Sequence, residues 1–286
     1  MILIVGFVVV IGSVLTGFTM AGGHIGALVH PSEIVTIGGA ALGAAIVMSP
    51  KKVLIDVIHA ALACLKGSPF GKRGYEDLFK LWYELLRLAR SDGLLALEKH
   101  VSAPHESTIF GKYPAIANNH HVMEFICGAL TPVIERSVPT ERIPALLEAE
   151  LKAMAEEHHA PIGVVTKTAD GLPGFGIVAA VLGIVVTMEA ISGPVEEIGE
   201  KVGAALVGTF LGILMSYGFF GPLAVRMEFL SESEMAYFRT IKSIVQGVID
   251  ELAPKSVIEQ ASRGLASEVR FNREELEKLF KEVEGG

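Results

Sequence analysis

Charged side chains are missing from four stretches of the chain, residues 1–32, 34–50, 171–188 and 202–225, and these form two pairs around one long charged segment. In hydrocarbon no water is available to satisfy backbone N–H and C=O groups, so an apolar run of about 20 residues is stable there only as a helix that bonds itself. The pattern therefore predicts four membrane-spanning helices, over about 1–21, 33–50, 171–189 and 201–225, arranged as two hairpins. Gly22-Gly23-His24-Ile25-Gly26 with His30-Pro31-Ser32 reads as the turn of the first pair, and Ser192-Gly193-Pro194 as that of the second. A water-soluble bundle is the competing reading, but soluble core helices seldom stay apolar on every face for such lengths. Nor does the first run resemble a secretory signal, since no Lys or Arg precedes it and a second apolar run follows at once.

Positive charge orients the spans. The segment 22–33 has no Lys or Arg and the segment 189–201 has only Lys201, whereas Lys51 and Lys52 follow the second run and Arg226 follows the fourth. By the positive-inside rule both termini and the segment 51–170 face the cytoplasm. Cys64 and Cys127 then lie in a reducing compartment, which disfavours a disulfide. The net charge of −8 argues against a nucleic-acid partner.

The cytoplasmic segment reads as helical nearly throughout. Val53, Val57, Ala60, Ala61 and Cys64 continue the second span inward, and Leu78, Leu81, Trp82, Leu85, Leu86 and Leu88 form another apolar stripe before a break at Ser91-Asp92-Gly93. Thr140 is expected to cap a helix carrying Ile143, Leu146, Leu147, Leu151 and Met154. Beyond the fourth span, Tyr237, Ile241, Ile244, Val245, Val248, Ile249 and Leu252 lie on one stripe until Pro254. Asn272 and Glu275 then have the spacing of a cap for a last, polar helix. The expected fold is all-α: two transmembrane hairpins, over 1–50 and 171–225, a cytoplasmic helical domain over 51–170 and a helical tail over 226–286.

Chemistry inside the spans is sparse. No ionisable side chain lies in the middle of any of them, whereas a conducted ion normally needs a titrating relay at that depth. Either the chain conducts nothing, or a partner helix brings the acid. Gly176 and Ala180, Gly208 and Gly212, and Gly212 and Ser216 are each four apart, so each of the last two spans has a face small enough for close helix approach. Thr209 and Ser216 add hydroxyls to that face, with Tyr217 beside them. Packing within the chain would produce the same spacing. Pro173 and Pro222 mark the inner ends of these two spans, as hinges or as simple helix punctuation.

Several blocks, in order and on this topology, resemble the MotA family of flagellar stator subunits within the wider MotA/TolQ/ExbB group. They are Thr19-Met20-Ala21-Gly22-Gly23, Glu106-Ser107-Thr108-Ile109-Phe110-Gly111-Lys112-Tyr113-Pro114, Pro173-Gly174-Phe175-Gly176-Ile177-Val178-Ala179-Ala180, and Val207-Gly208-Thr209-Phe210-Leu211-Gly212 through Ser216-Tyr217-Gly218-Phe219. The resemblance implies a homo-oligomeric ring, a pentamer in the family, seated in the bacterial inner membrane around the single spans of a MotB dimer. The MotB aspartate is the proton acceptor missing here. It implies that Pro173 and Pro222 couple conformation to ion flow and that Thr209 and Tyr217 lie near the ion path; the small-residue spacing adds Gly176 and Gly212 as partner-facing positions, with Pro173 beside them. Ala180 stands where sodium-driven relatives have threonine, which favours H+ as the transported ion. In Arg90-Ser91-Asp92-Gly93-Leu94-Leu95-Ala96-Leu97-Glu98, Arg90 and Glu98 match the residues that contact the rotor protein FliG. Four spans and this block favour MotA over a TolQ- or ExbB-like energiser of outer-envelope processes, which would have three spans.

Other candidate chemistry is weak. His120-His121 and Glu156-Glu157-His158-His159 lack the spacing of a zinc motif, so no metal and no cofactor is expected. Glu196, Glu197 and Glu200 are read as a hydrated outer loop. A nucleophile with its base is absent, so an enzyme is not expected; a non-conducting membrane scaffold is the remaining alternative.

Overall fold

The structure is a computed structural model that describes residues 2–189 and 191–285. Twelve α-helices are labelled in chain order: α1 (Ile2–Met20), α2 (Pro31–Met48), α3 (Lys51–Lys66), α4 (Lys72–Asp92), α5 (Glu98–Ser102), α6 (Pro114–Ala117), α7 (His120–Glu135), α8 (Ile143–Glu189), α9 (Val195–Leu214), α10 (Gly221–Ile249), α11 (Pro254–Arg263) and α12 (Arg273–Gly285). Among the described residues there is no strand. Among the described residues, four helical stretches are long and apolar enough to cross a membrane: Ile2–Met20, Ile25–Met48, Thr140–Glu189 and Val195–Ile249.

The chain divides into two compact units, Met1–Gly67 with Glu157–Ser231, and Ser68–Glu156 with Glu232–Gly286. These divisions fall elsewhere than the charge pattern suggests. The change at 170/171 lies inside α8, a helix of 47 residues. Backbone hydrogen bonding is indifferent to side-chain polarity, so one rod carries polar residues and then an apolar run. The tail does not stand apart either, because α11 and α12 fold into the same unit as α4 and α7.

In the first unit α1 buries none of its residues, and α8 exposes Ile177, Val178, Val181, Leu182, Ile184, Val185 and Val186. Apolar surface on this scale needs lipid or other protein to cover it. What this unit buries internally is small. Ile37 and Ala41 of α2 pack on Leu172 and Ala179 of α8, and Cys64 of α3 packs with Ile162, Val165, Ala224 and Met227. The second hairpin differs from expectation at its tip: α9 starts at Val195, so Glu196 and Glu197 sit in its first turn, where they complement the helix dipole, and Glu200 lies one turn further along the helix, none of them in a loop.

Between α9 and α10 the chain forms a π-helical turn, Met215–Phe220, in which the N–H of Gly221 donates to the carbonyl of Ser216. Pro222 has no N–H to offer the carbonyl four residues back, and the wider turn is one way a helix absorbs such a gap. Phe219 packs on Phe7 of α1 with ring centroids 4.9 Å apart.

The second unit has a conventional core. Tyr75, Leu78, Phe79, Trp82 and Leu85 repeat at helical spacing along α4 and meet Phe125 and Ile126 of α7, Phe238 and Ile241 of α10, Ile258 of α11 and Phe280 of α12, all buried. Asn272 and Glu275 close the expected capping box: Asn272 Oδ1 accepts from the Glu275 N–H and Glu275 Oε2 from the Asn272 N–H, both at 2.9 Å. Thr140 does not cap α8. It lies in a 3-10 turn, Thr140–Arg142, entered from Pro139 with no side-chain cap bond, so the lead-in turn replaces the expected hydroxyl cap.

Candidate functional site

Gly176 of α8 and Gly212 of α9 face each other across a backbone-to-backbone contact. A methyl group built on Gly212 would lie 2.6 Å from the carbonyl oxygen of Leu172 and 2.8 Å from Gly176 Cα. One built on Gly176 would lie 3.0 Å from the carbonyl oxygen of Gly208 and 3.1 Å from Gly212 Cα. The small-residue face thus forms the seam of the second hairpin, and the two glycines are consumed by contact within the chain. Ala180 and Thr209 are half-buried, and Tyr217 is 73 % exposed in the π turn. Pro173 is half-buried inside the unbroken α8, and Pro222 is exposed one residue into α10.

Glu33 was not singled out by the sequence pattern. It separates two charge-free runs and so reads as a boundary, yet the structure buries it in the first turn of α2 against Gly208 of α9. The one available signal is that it is the sole Asp, Glu, Lys or Arg among the first 50 residues.

In the second unit Arg90 occupies the last turn of α4 and Glu98 opens α5, with Gly93 at φ 86° and a 3-10 turn, Leu94–Leu97, between them. Both side chains are exposed and neither enters an ion pair among the described residues. Leu97 is buried and holds the turn to the core, whereas Leu95 is 70 % exposed beside the two charges. The site therefore presents one cation, one anion and an apolar residue to solvent.

α5 is held from beneath by His100. Its Nδ1 lies 2.7 Å from Ser107 Oγ, which itself accepts the N–H groups of Ile109 and Phe110 at 3.2 Å. With its acceptor capacity used, the Ser107 hydroxyl donates to a neutral His100. Burial, reinforced by the Lys99 charge, holds His100 below the ordinary imidazole value. The unfolded chain therefore takes up this proton first, so folding stability is full above about pH 6.5 and falls as pH drops toward the lower folded value. Thermal unfolding in detergent should show this acid loss in the wild type and a flatter profile in His100→Asn. Ser107→Ala, which orphans two buried N–H groups, should cost about 1–3 kcal/mol at neutral pH.

No three His, Cys, Asp or Glu side chains among the described residues come together as a metal site. The arrangement offers a close-packed helical seam, a buried carboxyl beside it, and an exposed charged edge on the other unit.

Two family models match the chain: Motility protein A N-terminal over residues 4–93, and the MotA/TolQ/ExbB proton channel family over residues 117–240. Motility protein A of Salmonella typhimurium is 36% identical over 283 residues, spanning 99% of this chain and 96% of its own length. Motility protein A of Escherichia coli is 34% identical over the same shares. Among solved structures, the C. jejuni MotAB structure superposes with a TM-score of 0.79 at 19% identity, covering 95% of this chain and 98% of that one. The flagellar MotAB stator complex from Bacillus subtilis gives 0.73 at 24%, covering 90% and 92%. These superpositions show a shared fold.

Proposed function

From the premise that the chain belongs to the MotA/TolQ/ExbB proton channel family, in its motility protein A branch, we propose that this flagellar stator subunit works as a ring around a MotB-type single-span partner. Ion flow through that complex would become torque on the rotor. The observation that carries this reading is full-length similarity to motility proteins A together with four apolar helices whose outer faces the chain leaves uncovered.

The physical cycle follows from charge and packing. A proton neutralises the partner's aspartate and changes how its helix fits against α8 and α9. A charged side chain at membrane depth costs about 3 kcal/mol on insertion scales. A potential of about 150 mV supplies about 3.5 kcal/mol per charge. The two are comparable, so one proton suffices to bias a packing equilibrium, and repetition around a ring turns that bias into rotation. Pro173 and Pro222 are the coupling points in this cycle, Ala180, Thr209 and Tyr217 flank the ion path, and Arg90 and Glu98 deliver torque to FliG. Lys51, Lys52 and Arg226 set both termini on the cytoplasmic side of the inner membrane. A pentameric ring and H+ as the ion are the family expectation, the latter supported by alanine at position 180.

Vesicles holding this chain and a MotB-type partner should conduct protons without sodium, and conduct nothing when the partner's aspartate is made Asn. Proton flux through this chain alone would defeat the reading. A TolQ- or ExbB-like role instead predicts that deleting the chain leaves swimming intact.

A further inference from the structure

Glu33 stands near the start of α2 in sequence, but its carboxyl lies at mid-depth of the second hairpin. A methyl built on Gly208 would be 2.5 Å from Glu33 Oε2 and 3.2 Å from Ala179 Cβ, so all three meet at one point. Ala179 is near the centre of the charge-free run 171–188. The absence of an ionisable group from the middle of each apolar run therefore holds along the sequence and fails in space.

Glu33 is only 6 % exposed, and its Oε2 is buried without a hydrogen-bond partner. One turn back, the ring nitrogen Nδ1 of His30 is likewise buried and unpartnered. A carboxylate in that setting is poorly solvated and calls for a proton or a cation. Gly208 and Ala179 supply no array of side-chain oxygens that would replace the hydration shell of a metal cation, so the chemistry favours a proton. Few other charges face the group. His30 immediately precedes its helix, α8 has no ionisable side chain over 171–188, and the nearest on α9 is Lys201, seven residues toward the loop and paired with Glu197 at 3.0 Å.

We propose that Glu33, backed by His30, is a second proton-binding carboxyl of the stator, on the intake side of the α8–α9 seam. This rests on the stator reading above. In the step, the Glu33 carboxylate takes a proton from a hydronium ion on the outer side and leaves water, the new O–H bond breaks as the proton passes to the partner's aspartate carboxylate, and Glu33 returns to the carboxylate. Gly208 is glycine, on this account, because any Cβ would occupy the carboxyl's place.

The test uses full-length chain co-purified with a MotB-type partner and reconstituted in vesicles. Wild-type flux that depends on the partner's aspartate checks the stator reading by itself. Given that flux, Glu33→Gln should assemble and conduct at least tenfold more slowly, while Glu33→Asp should conduct with a displaced dependence on outer pH. Wild-type flux and pH profile in Glu33→Gln would overturn the proposal and leave the stator reading standing. Should Glu33→Gln fail to assemble, Glu33→Asp decides: a displaced pH profile supports a proton site, and an unchanged one rejects it.

Discussion

Gly212→Ala should abolish swimming and partner-dependent proton flux. The added methyl meets a carbonyl oxygen at 2.6 Å and a Cα at 2.8 Å, and both belong to the backbone of α8. Backbone cannot rotate away as a flexible side chain would, so α8 and α9 must separate along the seam that also holds Gly176 and Gly208. Overpacking of this kind costs about 1–3 kcal/mol in well-packed interiors. The functional loss should exceed what that figure alone suggests, because the faces proposed above to flank the ion path ride on the same two helices. Gly199→Ala is the matched control, since a methyl there meets nothing within 4 Å and alanine is the better helix former. A Gly212→Ala strain that swims like the wild type would remove the seam from the mechanism.

The second large effect concerns charge on the exposed edge. Arg90→Glu and Glu98→Lys should each lower stability only modestly, by about 1 kcal/mol, because both side chains are exposed, neither enters an ion pair among the described residues, and what is lost is a favourable charge at a helix end. Each should nevertheless cut swimming severalfold. On the proposed contact of these residues with complementary charge on the rotor, placing like charge there costs several kcal/mol of association. Compensating reversals on the rotor protein should restore swimming, whereas a change in the ion path would not be rescued that way. Unaltered motility in both reversals would mean that torque leaves through other residues.

Much of the architecture is legible in the chain. Four long apolar runs can be stable in a bilayer only as self-bonded helices, and the structure contains all four as helices. The apolar stripe of α4 is legible for the same kind of reason, since period 3.6 and burial on one face are one fact seen twice. Element ends are less so. Asp170 marks the edge of an apolar run but not of a helix, because α8 needs only its own backbone to continue through it. The π turn at Met215–Phe220 leaves no trace in the hydropathy pattern, as it changes hydrogen-bond register without changing composition.

The functional residues divide in the same way. Arg90 and Glu98 are ordinary surface charges by physical chemistry, and only the match of surrounding blocks raises them above that. Gly176 and Gly212 are conspicuous by spacing, yet spacing does not say whether the approaching helix belongs to this chain or another. The structure shows them meeting each other.

Composition along the chain thus determined where it enters and leaves the apolar layer, because the cost of an unsatisfied or charged group in hydrocarbon is read residue by residue. What lies beside what was decided only in three dimensions. Glu33 is a boundary residue in one dimension and a mid-depth carboxyl in three, since depth along α8 and α9 is set by how α2 packs against them and not by its distance from any turn.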